Sequence, residues 1–338
     1  MQMDADKILG MTSRDAAALF PGKDQDVRKG FAKLAAKWHP DVCSDPRAED
    51  VFTHILSLRG RVSDKEKPAL NQRIFKTNRG KPFKSSPVAE RLVDQGEILV
   101  GSRTLSTIFS REFGDLAEKE GSAPSLFRFE NEEMKRQMEP FLPTMLRSVA
   151  LAEDEHMVIV QKSRDEVLLA DLLAKEGRMP DVHAAWLCSG LLNICAWLGY
   201  AKLVHGAISP EHILVDPAKH SVRLAAGWAF ATPNGDRPLA LPSRTIALLP
   251  RMAVKAQTID ATVDLEMVRQ TIREALGDPR GTSGGVSTLP APLKTWINMP
   301  SAKTAVEDYQ SWQSALEAGW GQRRFVDYPI RAADIYAG

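Results

Sequence analysis

Apolar positions repeat with two different periods along the chain, and the change of period divides it. Val27, Phe31, Leu34 and Trp38 step by four, three and four, the spacing of one helical face, and Asp24 or Asp26 is placed to cap that helix. It ends at His39-Pro40, because a proline cannot continue the backbone hydrogen-bond ladder. Val51, Phe52, Ile55, Leu58 and Val62 predict a second helix over about 47–62, with Asp45-Pro46 as its start signal. Two helices facing each other across a loop are therefore expected between Asp6 and Asp64.

After Ala89 the pattern shortens. Strand-like runs at Glu97 to Val100 and His156 to Val160 lie around a helical segment expected near 131–147, which makes a small mixed α/β half. From Val167 onward the pattern is mostly helical, interrupted over 204–231, where Ile213-Leu214-Val215 and Val222-Arg223-Leu224 predict a hairpin across Asp216-Pro217. Ala184 to Ala201 carries no charged residue and approaches the length of a bilayer span. Ser189, Gly190, Asn193 and Gly199 dilute it, so a buried core helix is the expectation.

Composition narrows the class. A chain of 338 residues suggests about two domains, and 43% hydrophobic with 26% charged residues is ordinary globular usage. The 44 basic and 43 acidic side chains nearly cancel, so neither a membrane nor nucleic acid is an expected partner. Cys43, Cys188 and Cys195 form no disulfide framework, and the opening residues lack the apolar core of a signal peptide. A cytoplasmic location is expected. Between Lys65 and Lys84 seven Lys or Arg accompany one acid, Glu66. This is the expected basic linker, over 65–90, a solvated tether or, as the sharper alternative, an electrostatic contact with an acidic partner or with nucleic acid.

Lys29, Lys33 and Lys37 fall on one helical face, roughly opposite the apolar one, just before His39-Pro40-Asp41. KGFAKLAAKWHPDV resembles the second helix and loop of J-domain proteins, and AEDVFTHILSLRGRVSD their third helix, so the resemblance covers about residues 4–64. It implies an all-α J domain over 1–64 whose partner is a DnaK-type chaperone ATPase. Asp41 would engage a cationic network in that ATPase, His39 and Pro40 would present it, and the three lysines would dock on an acidic surface. A zinc reading of His39, Cys43 and His54 is weaker, since stable zinc sites want four ligands.

VHGAISPEHILVDPAKHSVRLAAGWAFA, residues 204–231, resembles the catalytic and metal-binding loops of protein kinases in framework, and the likeness extends over about 91–320. It implies a small lobe over 91–162 and a large lobe with a tail over 163–338. Phosphoryl transfer needs a carboxylate for the attacking hydroxyl and oxygen ligands for magnesium. Here Ala207 takes the catalytic Asp position, His212 the metal-binding Asn position, and Ala226 or Gly227 the metal-binding Asp position. Arg128 aligns with the phosphate-pairing strand lysine, with Glu132, Glu133 or Glu139 as its partner. Gly101 to Ser106 puts bulk where phosphates need backbone approach. Asp264 resembles the large-lobe Asp that holds the catalytic loop, or is an ordinary helix cap.

The reading is a multidomain protein, an all-α J domain followed by an α+β protein-kinase-like bilobal domain, that is not an enzyme. It implies no cofactor and no metal, and an unknown protein client or scaffold beside the DnaK-type partner. The alternative is an atypical protein kinase or nucleotide-dependent switch that uses Arg128 with acids such as Glu211 or Asp216.

Overall fold

The computed structural model describes residues 4–11, 34, 37–38, 43, 45–48, 50–52, 54–55, 72–249, 258–280, 286–322 and 324–336. They fall into two compact units, divided between Asn71 and Gln72.

In the first unit α1 (Ala5–Leu9) begins at Asp4, whose carboxylate accepts the Lys7 N–H at 2.9 Å. Leu34 and Lys37 are helical, as are 48, 50–52 and 54–55. Asp45 accepts the Arg47 N–H at 2.9 Å, so the start signal acts where the sequence puts it. Ile8, Trp38, Val51, Phe52 and Ile55 are buried, four of them from the two expected apolar faces. His54 Nε2 lies 2.8 Å from the Met11 carbonyl, which gives that ring a structural contact. Lys29, Lys33, His39, Pro40 and Asp41 lie outside the described residues.

The second unit opens with a hairpin, β1 (Arg73–Lys76) against β2 (Pro82–Ser85). The stretch expected as a tether is thus folded from Arg73. Phe75 and Phe83 are cross-strand partners and pack together over Leu99, Ile108 and Met157, which outweighs the repulsion of the exposed cations beside them. Then come β3 (Ala89–Val93), β4 (Gly96–Val100), β5 (Thr104–Phe109), α2 (Gly114–Gly121), α3 (Glu132–Met138), β6 (Met145–Ala150) and β7 (His156–Gln161). The strands make one antiparallel sheet of order β3-β4-β5-β7-β6. The helix expected near 131–147 stops at Met138 because Pro140 and Pro143 cannot continue it, and the chain re-enters the sheet at Met145.

Residues 162–166 connect the sheet to a helical half. There β8 (Val167–Leu168) precedes α4 (Leu169–Glu176) and α5 (Asp181–Tyr200), followed by β9 (Leu203–Val204). β10 (Ile213–Asp216) and β11 (Ser221–Leu224) form the expected hairpin, with Ile213 opposite Leu224. β12 (Thr232–Pro233) pairs with β9, and α6 (Ser243–Leu248), α7 (Ala261–Ala275), α8 (Ala291–Asn298), α9 (Ala305–Trp320) and α10 (Ala332–Tyr336) complete the order.

α5 is the centre of this half. It is long and apolar enough to cross a membrane, yet Leu187, Cys188, Leu191, Leu192 and Ile194 are fully buried among α7, α9 and the β10–β11 hairpin. Gly190 permits the closest approach, because a Cβ there would stand 2.2 Å from Val222 Cγ1. Trp312 of α9 donates to Ser189 Oγ at 2.9 Å.

α7 and α9 are joined by a fully buried ion pair. Arg269 Nη1 and Nη2 donate to the two Asp308 oxygens at 2.7 and 2.8 Å, and the guanidinium lies 3.9 Å from the Trp296 ring. Removing one partner strands a charge in the core. Asp308→Ala is expected to cost about 3–5 kcal/mol in urea unfolding, and the paired change Arg269→Met with Asp308→Leu should recover most of that loss. Equal losses in the two variants would contradict this account.

Candidate functional site

The site lies where the loop between β9 and β10 meets the turn after β11. Asp260 caps α7 through the Thr262 N–H, which leaves Asp264, one turn later, facing inward. Its carboxylate accepts the His205 N–H at 2.7 Å and the Gly206 N–H at 2.8 Å. Asp264 is therefore the loop holder of the two roles its sequence context left open. Burial pushes its pKa up to about 7, against the opposing pull of the two N–H donors.

The held loop carries no acid at its reactive position. Ala207 is fully buried and clusters with Phe109 and Phe230. His212 Nδ1 sits 2.7 Å from the Ala207 carbonyl, an acceptor only, so that nitrogen bears the proton; Ser209 Oγ lies 3.2 Å away. Burial also pushes this imidazole below its ordinary pKa. The ring is fixed to the backbone of its own loop.

Both candidates for the metal-binding Asp position are accounted for by packing. Ala226 belongs to an apolar cluster with Leu105, Leu168 and Leu214. Gly227 has φ +85°, and a Cβ there would come within 2.9 Å of His212 Nδ1 and 3.0 Å of His205 Cε1. Only glycine fits that turn.

Arg128 does not occupy the strand position assigned to it. It lies after a short helical turn over 123–126, is exposed, and donates to the Ser125 and Phe127 carbonyls at 2.7 and 2.9 Å. Glu132, Glu133 and Glu139 are exposed on and just after α3, beside Lys135 and Arg136. The strand next to the cleft is β5. Leu105 and Phe109 face the helical half, and the alternation of side chains puts buried Thr107 between them. The cleft-facing side chain in the middle of β5 is thus a threonine, and β5 carries no lysine.

The helix packed behind that strand contributes Glu120, which sequence reasoning missed. It is 1% exposed, and its two oxygens accept the Gly227 N–H at 3.1 Å and the Ala229 N–H at 2.6 Å. Burial pushes its pKa up to about 7. Its segment, GDLAEKEG, is an ordinary charged helix, so nothing in the sequence marked it.

Two contacts close the cleft from the sheet side. The turn overhanging it is Asp94-Gln95, not Gly101 to Ser106, which bends at the opposite end of β4. Asp94 accepts the Ser243 N–H and hydroxyl at 2.7 and 2.8 Å. Arg91 donates to Asp171 at 2.5 Å and to the Ala170 carbonyl at 3.0 Å. Glu211 and Asp216 are engaged as well, by Arg244 at 2.9 Å and by the Lys219 ammonium at 2.7 Å.

Strand order, the single connector and the Asp264-held loop decide the architecture. The second unit is protein-kinase-like. No family model matches the chain. The first 60 or so residues are similar to J-domain proteins. They are 43% identical over 61 residues to Curved DNA-binding protein of Coxiella burnetii, covering 18% of this chain and 17% of the relative. Chaperone protein DnaJ of Methanosarcina thermophila matches at 40% over 68 residues, 20% of this chain and 16% of its own length. DnaJ homolog subfamily C member 16 of Homo sapiens matches at 34% over 67 residues, 20% and 8%. The chain spans less than a fifth of the length of these curated relatives. Among solved structures, that of vaccinia related kinase 3 covers 75% of this chain and 93% of its own, at TM-score 0.44 and 12% identity. At that level the kinase-like description rests on the chain's own topology.

Glu120 makes the kinase-like unit pH-sensitive in a definite direction. Its folded pKa of about 7 lies above the ordinary 4.5, so its contribution is complete below about pH 4.5 and is lost as pH rises to about 7. The size is about 3 kcal/mol. Glu120→Leu leaves two backbone N–H groups unpaired at every pH, a constant loss. The wild-type minus variant stability should therefore fall by that amount between pH 4.5 and 7 and stay level above; parallel profiles would contradict the assignment.

Proposed function

We propose that this chain is a non-enzymatic co-chaperone adaptor. Residues 1–64 engage a DnaK-type chaperone ATPase and stimulate it through Asp41, while the kinase-like unit binds a protein client or scaffold. One observation carries the reading: His39-Pro40-Asp41 and the lysine-bearing segment before it fall in the stretch that is similar to Chaperone protein DnaJ. Exposed charges of this kind set orientation and association rate, so the docking of Lys29, Lys33 and Lys37 weakens with salt.

The non-enzymatic part is supported by chemistry. Ala207, His212, Gly227 and Thr107 offer no oxygen anion for magnesium and no cation for phosphate, and removing both takes away the electrostatic stabilisation phosphoryl transfer depends on. The buried carboxylates of Asp264 and Glu120 are spent on backbone N–H groups. A reducing compartment, the cytoplasm, belongs to the same proposal, and free Cys43, Cys188 and Cys195 support it.

The test is single-turnover ATP hydrolysis by a DnaK-type chaperone with added full-length chain. Wild type should raise the rate several-fold, Asp41→Asn should not, and the stimulation should decline from 50 to 300 mM salt. Equal stimulation by both proteins would sink the co-chaperone reading. ATP with magnesium should leave the melting temperature unchanged; a rise of several degrees would instead favour the nucleotide-dependent switch.

A further inference from the structure

Beyond α9 the chain runs as a strap, Arg324 to Tyr336, across the kinase-like unit. Two tyrosines eight residues apart fix it. Tyr328 is 4% exposed and stacks on His183 of α5, with ring centroids 4.1 Å apart and planes inclined by 10°. Tyr336 ends α10 beside the apolar cluster of Leu105, Leu168 and Leu214, and its hydroxyl accepts the Leu168 N–H at 2.9 Å. The Lys162 ammonium lies 5.9 Å from that ring. Burial, then the neighbouring Asp171 carboxylate, pushes the Tyr336 hydroxyl above its usual range and keeps it protonated.

The way the strap is held differs from the packing of the rest of the unit. Over 324–331 it is neither helix nor strand, and Pro329 has no N–H to offer a ladder. Its backbone–backbone bonds run within itself, from Ile330 N–H to the Tyr328 carbonyl and from Asp334 N–H to that of Arg331, and the Val326 backbone bonds to the His220 ring. The two seated rings hold it, with Ile330, Ala332 and Ile335 packed against the core beside them. The first seat is also imperfectly matched to its occupant: His183 Nδ1, His220 Nε2 and the Tyr328 hydroxyl are buried without a hydrogen-bond partner among the described residues. Phe325, the next ring upstream, rests on His220 at 4.5 Å and is 68% exposed. Unpaired buried polar atoms weaken binding, and a ligand that supplied their partners would bind more tightly.

We propose that the strap occupies a peptide-docking groove in cis, and that this groove takes extended client segments with two aromatic side chains about eight residues apart. The first ring stacks on His183 and the second meets Leu168. This deepens the adaptor reading, on which it rests, by naming the chemistry of the client. Tethering gives the strap an effective concentration of order millimolar, so a client segment must beat it or arrive when it is released. The resident strap thereby sets a threshold for weak ligands.

The probe is a fluorescein-labelled peptide of residues 324–336, titrated by anisotropy into the full-length chain. Tyr328→Ala with Tyr336→Ala, which disables the strap, should bind the peptide at least tenfold tighter than wild type does. A peptide with both tyrosines changed to alanine should not bind. Equal affinity for the two proteins, or binding of the tyrosine-free peptide, would overturn the proposal. A milder variant covers the case in which the double variant fails to fold. Tyr336→Phe keeps the ring and removes the acceptor, so Leu168 amide exchange should quicken at least tenfold, and an unchanged rate would overturn the second seat. Chaperone stimulation that depends on Asp41 is a separate readout, so its loss with peptide exchange intact would remove the co-chaperone reading alone.

Discussion

Everything in the kinase-like unit is arranged around one buried carboxylate. Asp264 accepts two successive backbone N–H groups and so determines the path of the loop from His205 to His212. That loop in turn positions His212 against its own backbone, and His212 with His205 leaves room for nothing larger than Gly227. Glu120 then closes the circuit from the other half by taking the N–H groups of Gly227 and Ala229. A carboxylate removed from water is expensive unless hydrogen-bonded, and here each one is satisfied by peptide groups instead of a metal ion. Ala207, Ala226 and Gly227 are each filled or confined by packing, and His212 is bonded to the backbone. The buried carboxyl groups of Asp264 and Glu120 serve as internal braces.

Much of this was legible in order of locality. The β10–β11 hairpin and α5 are written in short-range periodicity and form at or near their expected places, and in the first unit the described residues Leu34, Val51, Phe52 and Ile55 of the expected faces are helical. Ala207, His212, Ala226 and Gly227 could be placed because the framework residues around them lie within one continuous stretch. Asp264 was narrowed to two roles, and the structure separates them by giving the cap to Asp260.

What escaped depends on long-range pairing. Arg128 sits in a run, Ser-Leu-Phe-Arg-Phe, that looks like a strand, whereas the true neighbour of the cleft is Thr107, about twenty residues earlier, in a strand without any lysine. Nothing local distinguishes them; the register of β5 between β4 and β7 does. The β1–β2 hairpin was hidden by its cations, although Phe75 and Phe83 alternate with exposed positions as a half-buried ribbon should. Tyr328 and Tyr336 form no periodic pattern, so the strap left no trace that sequence reading could use.

The contacts that shut the cleft also have a history in time. Asp94 and Ser243 are 149 positions apart, and Leu168 and Tyr336 are separated by 168. At ribosomal speeds of roughly 5–20 residues per second, the sheet, complete at Gln161, precedes its latch at Ser243 by about 4–16 s. At the start of that interval Ile98, Val100 and Leu105 still lack Leu168, Ala170, Leu214, Ala225 and Ala226, which cover them in the folded unit. High contact order of this kind makes closure a late step and leaves a sticky nascent intermediate.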